Sequence, residues 1–285
     1  MATKKATTTK KKAPTKKTTV KAVSAVETKT TVKTVQATVK KKQSLGQHIE
    51  TSLLSGNLWR ALGAEFLGTF LLAAVVIAGQ GQPIFVLFGL VGIVLLIGAI
   101  SGAHVNPAIT LGAWATRRIG WLRAIGYIFV QFLGAAVAYF VLNAFLGGAA
   151  QPSAEQAAYG QQAASLFKAA DISALANEGK AWYVFFAEIL GTAILGFGVA
   201  AATRAKDSLS AAFSVGLGIF IALMVGVTVT GFVSASSILN PAVALSLQAY
   251  VGGAWAFLAY GLGAIIGGVI GFLLHDLLRG KNRTA

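Results

Sequence analysis

The chain has 285 residues, of which 55% are hydrophobic and only 12% are charged, and its mean hydropathy is +0.70. This composition excludes an ordinary soluble domain and predicts a protein that crosses a membrane several times. The formal net charge of +15 does not indicate a basic domain, because residues 1–42 contain thirteen Lys against one Glu and contribute +12 of it.

Residues 1–45 are predicted to form a Lys-rich, disordered N-terminal tail. Up to residue 42 they consist mainly of Lys, Thr, Ala and Val without any aromatic residue, so they bury too little apolar surface to fold. Two interpretations remain open for this tail. It is either an arm that binds anionic lipid or nucleic acid, or a solvated segment without a specific partner.

Residues 46–285 are expected to form the membrane domain, which contains six apolar segments. Each segment is long enough to span the ~30 Å hydrocarbon core as a helix that rises ~1.5 Å per residue. The segments lie at about 59–80, 84–100, 124–147, 181–202, 209–231 and 254–275.

One uncharged run, residues 84–116, is too long for a single crossing. Its 33 residues would extend ~50 Å as one helix, well beyond the hydrocarbon thickness. The chain is therefore predicted to turn back at residues 101–105. Asn106 then caps a short helix that ends near Arg117.

A second uncharged run, residues 208–274, has the same surplus. It is predicted to loop at residues 234–237 and then to form a short helix from Asn240 to about Val251. Hydrocarbon offers no partners to the backbone of such loops, so both short helices must begin inside protein or beside a wet cavity.

The two halves of the membrane domain repeat one another. Residues 64–69 match residues 187–192, and residues 131–135 parallel residues 260–264. Each half has three spans and one half-helix, and because three is odd the second half enters the membrane from the opposite side. The predicted fold is an all-α membrane protein with six transmembrane helices and two re-entrant half-helices in an inverted 3+3 repeat. The first repeat covers about 59–147, the connection about 148–180, and the second repeat about 181–278.

Lys and Arg indicate the orientation of the domain. Most basic residues near the span ends fall on one side of the six-span arrangement, together with the Lys-rich tail, whereas the connection has only Lys168 and Lys180. Cytoplasmic loops are enriched in Lys and Arg. Both termini of this integral membrane protein are therefore predicted to be cytoplasmic and the connection extracytoplasmic. The basic residues on the predicted cytoplasmic side are Arg60, Arg117, Arg118, Arg123, Arg204, Lys206, Arg279, Lys281 and Arg283.

The same tripeptide begins both half-helices, as Asn106-Pro107-Ala108 and as Asn240-Pro241-Ala242. Each helix N-terminus carries about +0.5 charge from unpaired N–H groups and the helix dipole, so two facing ends repel cations. If each Asn accepts a capping bond through its side-chain oxygen, its NH₂ group is left to donate toward the lumen. A single Asn would be a structural cap. The pair is predicted to orient passing water or hydroxyl oxygens and to interrupt a proton-conducting chain.

Five motifs follow one another along the membrane domain: Glu65-x-x-Gly68-Thr69, SGAHVNPAITLG at 101–112, Arg123-Ala124-x-x-Tyr127-Ile128-x-x-Gln131, Glu188-x-x-Gly191-Thr192 and the second Asn-Pro-Ala. Taken in order, these motifs resemble the aquaporin or major intrinsic protein family over residues 59–278. The resemblance implies that residues 46–285 form an aquaporin-like channel domain, that the chain is a homotetramer with one pore per protomer in a lipid bilayer, and that it is not an enzyme.

Glu65 and Glu188 lie inside apolar spans, where an ionisable side chain is costly unless it is paired. One interpretation is a proton relay. The resemblance instead implies that both carboxylates accept hydrogen bonds from the re-entrant loops, the first of which contains His104. The sequence shows no metal-ligand set, no nucleophile–base pair and no Cys, so no catalytic residue, metal or cofactor is predicted.

The outer filter departs from the family pattern. The resemblance implies an Arg directly after the second Asn-Pro-Ala, whose charge and fork of donors narrow the pore, but this chain has Val243. Counting from the motifs adds Thr228 and Ser237 to the same ring. The second-span member is Val86 by this counting, or Phe88 if the Phe-Gly-Leu that starts there sets the register.

A ring of Val86, Thr228, Ser237 and Val243 would be wide, weakly polar and neutral, provided that neighbouring side chains or residues 148–180 do not fill it. We therefore expect a passive channel for water and small neutral solutes of about the size of glycerol. Two alternatives remain open. One is a solute-selective facilitator for ammonia, urea or glycerol with little water flux, and the other is a structural or tethering membrane protein with a closed pore.

Overall fold

The computed structural model describes residues 44–147, 153–160 and 165–280. The tail predicted for residues 1–45 lies outside these ranges except for its last two residues. The first described element is a short helix, α1 (Leu45–Leu53). Nε1 of Trp59 donates a hydrogen bond of 2.7 Å to the carbonyl oxygen of Leu53 and so links α1 to the helix that follows.

Six helices in the described part of the chain are long and apolar enough to cross a membrane, and they confirm the predicted spans to within a few residues. Shorter elements lie among them: the half-helices α4 (Pro107–Ala115) and α10 (Pro241–Ser246), and two helices of the connection, α6 (Ala154–Ala158) and α7 (Ser173–Asn177). The six long helices are α2 (Gly56–Ala78), α3 (Pro83–Ser101), α5 (Trp121–Gly147), α8 (Ala181–Ala202), α9 (Ser208–Gly231) and α11 (Ala254–Arg279).

Both predicted half-helices are present, α4 (Pro107–Ala115) and α10 (Pro241–Ser246). The second is shorter than the sequence predicted, because it ends at Ser246 rather than near Val251. Gln248 adopts a left-handed conformation with φ +57°, which an α-helix cannot contain, and its Nε2 donates to Tyr139 Oη at 2.6 Å. The chain then continues as a 3₁₀ turn over Ala249–Gly252.

Each half-helix packs against the opposite repeat. Within the first repeat α2 contacts α3 and α5, within the second α8 contacts α9 and α11, and α3 meets α9 between them. Helix α4 lies mainly against α11 and also contacts α5 and α8, whereas α10 lies mainly against α5 and α2. Because of this exchange, the loops before α4 and α10 are enclosed by protein, as backbone at membrane depth requires.

Glycine permits the closest helix crossings inside each repeat. A Cβ atom at Gly134 of α5 would overlap the carbonyl oxygen of Phe66 on α2, and one at Gly267 of α11 would overlap that of Ile189 on α8. Helices in lipid associate through such close backbone approach, since lipid offers no hydrophobic drive for packing. The two crossings hold α2 and α8, which carry the buried Glu residues, in fixed positions.

Candidate functional site

The two Asn side chains cap the half-helices in the same way. Oδ1 of Asn106 accepts the N–H of Ala108 at 2.9 Å, and Oδ1 of Asn240 accepts the N–H groups of Ala242 at 3.0 Å and of Val243 at 3.3 Å. In both cases Pro occupies the first helical position, where a backbone donor is not needed. The caps fix both side-chain amides at the N-terminal ends of α4 and α10.

The same amides also bind across the repeat. Nδ2 of Asn106 donates to the carbonyl oxygen of Leu239 at 2.8 Å, and Nδ2 of Asn240 donates to that of Val105 at 2.9 Å. The sequence predicted that each NH₂ group donates toward the lumen. The reciprocal bonds use one hydrogen of each group, so each Asn retains one N–H that no described residue accepts. Both Asn residues line an internal cavity.

The residues before the two Asn are held in a rare backbone conformation. Val105 has φ +43° and Leu239 has φ +59°, values in the left-handed region that non-glycine residues seldom adopt. Such conformations cost on the order of 1–3 kcal/mol each and persist only where surrounding contacts enforce them. At both positions a buried carboxylate supplies those contacts.

Glu65 holds the first re-entrant loop. It is fully buried, with Oε1 accepting the N–H of His104 at 2.9 Å and Oε2 accepting the N–H of Val105 at 2.7 Å. Nε2 of Gln131 donates to Oε2 at 2.8 Å, and the same nitrogen lies 3.0 Å from Oγ1 of Thr110 on α4. Gln131 and Thr110 belong to the motifs, but sequence reasoning assigned neither of them a contact.

Glu188 holds the second loop by the same arrangement. Its Oε1 accepts the N–H of Ile238 at 2.7 Å and its Oε2 accepts that of Leu239 at 2.8 Å, while Oγ of Ser237 donates to Oε1 at 3.3 Å. Neither this carboxylate nor that of Glu65 is among the described groups that line the cavity. The geometry therefore favours a structural role over a proton relay.

His104 contributes both to the loop and to the cavity wall. Its Nδ1 lies 3.2 Å from Oγ1 of Thr110, and its ring meets that of Tyr127 edge-on with centroids 5.4 Å apart. Tyr127 in turn donates to the carbonyl oxygen of Ser101 at 2.6 Å, at the end of α3. Among the described residues, no group of three or more His, Asp or Glu could hold a metal ion.

A cavity of about 250 Å³ runs between the two repeats and past both Asn residues. Apolar side chains form most of its wall, and one end, which we call the outer end, lies beside the turn between α2 and α3. Helices α2, α8 and α9 contribute much of the rest of the wall. The apolar wall residues on these three helices are Leu72, Val76, Leu195, Val199, Val215, Ile219, Leu223 and Val227.

Three of the four predicted ring residues lie in the cavity wall: Val86, Ser237 and Val243. The position of Phe88 excludes it from the ring, because its side chain is 60% exposed and lies ~200° around α3 from Val86. Val243 is 2% exposed in the protein and has no charged neighbour in the wall. The wall is therefore uncharged at this level.

The fourth predicted residue, Thr228, is not among the described residues that line the cavity. Its side chain is exposed, its Oγ1 donates to the carbonyl oxygen of Met224 within α9 at 2.7 Å, and Val227 lines the cavity instead. Val227 and Thr228 are neighbours ~100° apart around α9, so a difference of one residue in the count decides which side chain faces the cavity. Replacing Thr228 by Val227 makes the ring less polar than expected.

The connection between the repeats also reaches the cavity. Phe167 lines its outer end, and the backbone that follows is tied to the second repeat. Ala169 N–H donates to the carbonyl oxygen of Leu247 at 2.9 Å, and Ala170 N–H donates to Oγ of Ser236 at 3.1 Å. The expectation of a wide ring was conditional on this segment leaving the space free, and Phe167 occupies part of it.

Comparison with known proteins connects this geometry to a family. The family model described as major intrinsic protein matches residues 53–275. The chain is 28% identical over 260 residues to aquaporin NIP1-1 of Zea mays, covering 86% of this chain and 83% of that protein. It is 31% identical over 233 residues to aquaporin NIP1-3 of Oryza sativa subsp. japonica, covering 76% and 72%.

Two further similarities are more limited. Over 91 residues the chain is 46% identical to glycerol uptake facilitator protein-like 6 of Lactiplantibacillus plantarum, covering 29% of this chain and 42% of that protein. The X-ray structure of the aquaglyceroporin from Plasmodium falciparum superposes with a TM-score of 0.53 at 21% identity, covering 79% of this chain and 96% of that one. At this identity the superposition supports the fold alone.

Proposed function

The chain belongs to the major intrinsic protein family and is a membrane channel for water or small solutes rather than an enzyme, and we propose that it conducts water together with neutral solutes up to about the size of glycerol. The observation that carries the proposal is the uncharged wall at Val86, Val227 and Val243. No cationic side chain among the described residues extends into the pore at this level, so neither such a side chain nor the water bound to its charge narrows the opening.

The Asn pair supplies the polar side of the pathway. Each of Asn106 and Asn240 has one N–H free to donate to a solute oxygen, and both amides are held rigidly by their caps and by the cross-repeat bonds. A polyol that passes can turn its hydroxyl oxygens toward these donors and its carbon atoms toward the valines. A passing water molecule is oriented in the same way, which disfavours a continuous proton chain.

A solute facilitator with little water flux is the second candidate, and the apolar ring favours it. The three valines offer no hydrogen bond, and Ser237 already uses its hydroxyl proton toward Glu188. Water that enters this ring must give up hydrogen bonds, and such desolvation is costly. Ammonia, urea or glycerol would lose less relative to their size, so the ratio of water to solute flux separates the two candidates.

The test is stopped-flow light scattering on proteoliposomes that contain the full chain, compared with empty vesicles. With sucrose as the osmolyte the initial rate reports water permeability, and with glycerol the recovery phase reports solute permeability. Fast signals in both arms are expected. Glycerol recovery without fast shrinkage would select the facilitator. Rates equal to those of empty vesicles in both arms would refute the proposal and a glycerol facilitator, and would favour the closed tethering protein.

Orientation, assembly and the tail belong to the same proposal. We propose that the basic end of the six-span domain is cytoplasmic, that four copies assemble with one pore each, and that the Lys-rich tail binds an anionic surface. Native mass spectrometry in detergent tests the tetramer. Flotation with vesicles that contain anionic lipid, at low and high salt, tests the tail, and salt-independent binding would contradict an electrostatic contact.

A further inference from the structure

We infer that Phe167, from the connection between the two repeats, sets the upper size limit for solutes at the outer end of the pore. The inference rests on the proposed function and adds a residue outside the four-residue ring. Phe167 is half-buried and lines the outer end of the cavity together with the turn at residues 80–83. The sequence offered no sign of this position, because the segment around Phe167 carries no motif.

The ring of Phe167 packs directly on Gly81. A Cβ atom built at Gly81 would lie 2.6 Å from Cε1 and 2.7 Å from Cζ of Phe167, closer than any side chain permits. Gly81 also has φ +67°, a conformation that favours glycine. The absence of a side chain at Gly81 therefore allows the aromatic ring to pack on the turn, and this position lies at the outer end of the cavity.

The backbone around Phe167 is anchored at points next to the pathway. Ala169 bonds to Leu247 and Ala170 bonds to Ser236, and both acceptor residues line the cavity themselves. Ile172, five residues beyond Phe167, is fully buried in the core. The segment is thus fixed to the two ends of the second re-entrant unit, so the position of the aromatic ring is defined by the same structure that defines the filter.

Phe167 restricts the entrance by size where an Arg would restrict it by charge. The valine side chains at positions 86, 227 and 243 line the cavity and are shorter than a phenylalanine side chain. A phenyl ring beside them reduces the width without adding a donor or a charge. The solute class that this entrance admits is therefore small and neutral, with three-carbon polyols near the limit and four-carbon polyols above it.

The test compares wild type, Phe167→Ala and Phe167→Leu for glycerol and erythritol permeability in proteoliposomes of the full chain. Erythritol has one CHOH unit more than glycerol and is otherwise similar. We expect Phe167→Ala to raise erythritol permeability relative to glycerol by about tenfold, equivalent to ~1.4 kcal/mol of barrier, and Phe167→Leu to give a smaller rise. Tyr159→Ala is the matched control, since Tyr159 lies in the same connection but is 83% exposed and is not among the described residues of the cavity wall.

An erythritol-to-glycerol ratio that stays at the wild-type value in both Phe167 variants would overturn the inference while leaving the proposed function intact. A wild type without any flux would refute the proposed function. In that case erythritol uptake by Phe167→Ala would still support an obstructing ring, and its absence would reject it. If Phe167→Ala fails to fold, as judged by its thermal midpoint in detergent, Phe167→Leu retains most of the packing and decides the question alone.

Discussion

Replacing Glu188 by Gln should destabilise the second re-entrant loop although it changes only one group. Glu188 is fully buried and accepts the N–H groups of Ile238 at 2.7 Å and Leu239 at 2.8 Å, one on each carboxylate oxygen. Gln has a single side-chain acceptor, so its NH₂ group would face one of these two donors. The loop would lose one hydrogen bond, and a buried N–H would be left without a partner.

The size of the effect follows from these contacts. A buried donor without a partner costs ~1–3 kcal/mol, and the remaining bond loses ~1 kcal/mol when its acceptor is no longer charged. The expected decrease in the free energy of unfolding is therefore ~2–4 kcal/mol. Leu239 is particularly sensitive, because its φ of +59° is maintained by the contact that Glu188 makes with its N–H.

Thermal unfolding in detergent, followed by the fluorescence of the five Trp residues, measures this loss. A decrease of ~4 °C or more in the midpoint is expected, since 1 kcal/mol corresponds to ~2–4 °C in a chain of this size. Glu178→Gln is the control, because Glu178 is exposed and paired only with Lys180, and surface pairs contribute little. Equal midpoints for the two variants would refute the structural role. Loss of proton flux in Glu188→Gln at unchanged stability would favour the relay.

Three further outcomes test the wall, the ring and the topology. Val227→Phe should lower water and glycerol permeability because this side chain lines the cavity, whereas Thr228→Phe should leave both unchanged; equal effects in stopped-flow scattering would contradict the assignment of the α9 face. Val243→Arg should lower glycerol permeability more than water permeability, since it adds a cationic fork of donors to the ring, and an unchanged solute profile would remove position 243 from the pathway. Because the chain has no Cys, single-Cys variants can be labelled selectively with a membrane-impermeant maleimide. Tyr159→Cys should react from outside intact cells and Arg279→Cys should not, and the reverse pattern would invert the proposed orientation.

Local rules explain why much of the fold was predictable. Asn followed by Pro is both a cap and a helix start, so the beginnings of α4 and α10 could be assigned from Asn106 and Asn240 alone. The length of the uncharged runs predicted that the chain must turn back inside them, because a helix needs only ~20 residues to cross a bilayer. The end of α10 was harder to predict from the sequence, since it depends on the left-handed conformation of Gln248 and on the bond of Gln248 to Tyr139 in another helix.

The pore wall was predictable only in part. Val86 and Phe88 are both apolar residues of α3, and only the packing of that helix against α2 and α9 decides which of them faces the cavity. Val227 and Thr228 are neighbours ~100° apart on α9, and only Val227 is among the described residues of the cavity wall. In both cases the missing information was the rotation of a helix about its axis, which the chain specifies through contacts with other helices.

The sequence by itself determined the membrane class, the six spans, the two half-helices and the inverted repeat, because these depend on composition, length and short motifs. Only the tertiary structure decided how the halves engage. The bonds from Asn106 to Leu239 and from Asn240 to Val105 join residues 133 and 135 positions apart, and Phe167 reaches the pore from a connection without any motif. Such contacts depend on the placement of whole helices, so no local spacing in the chain records them.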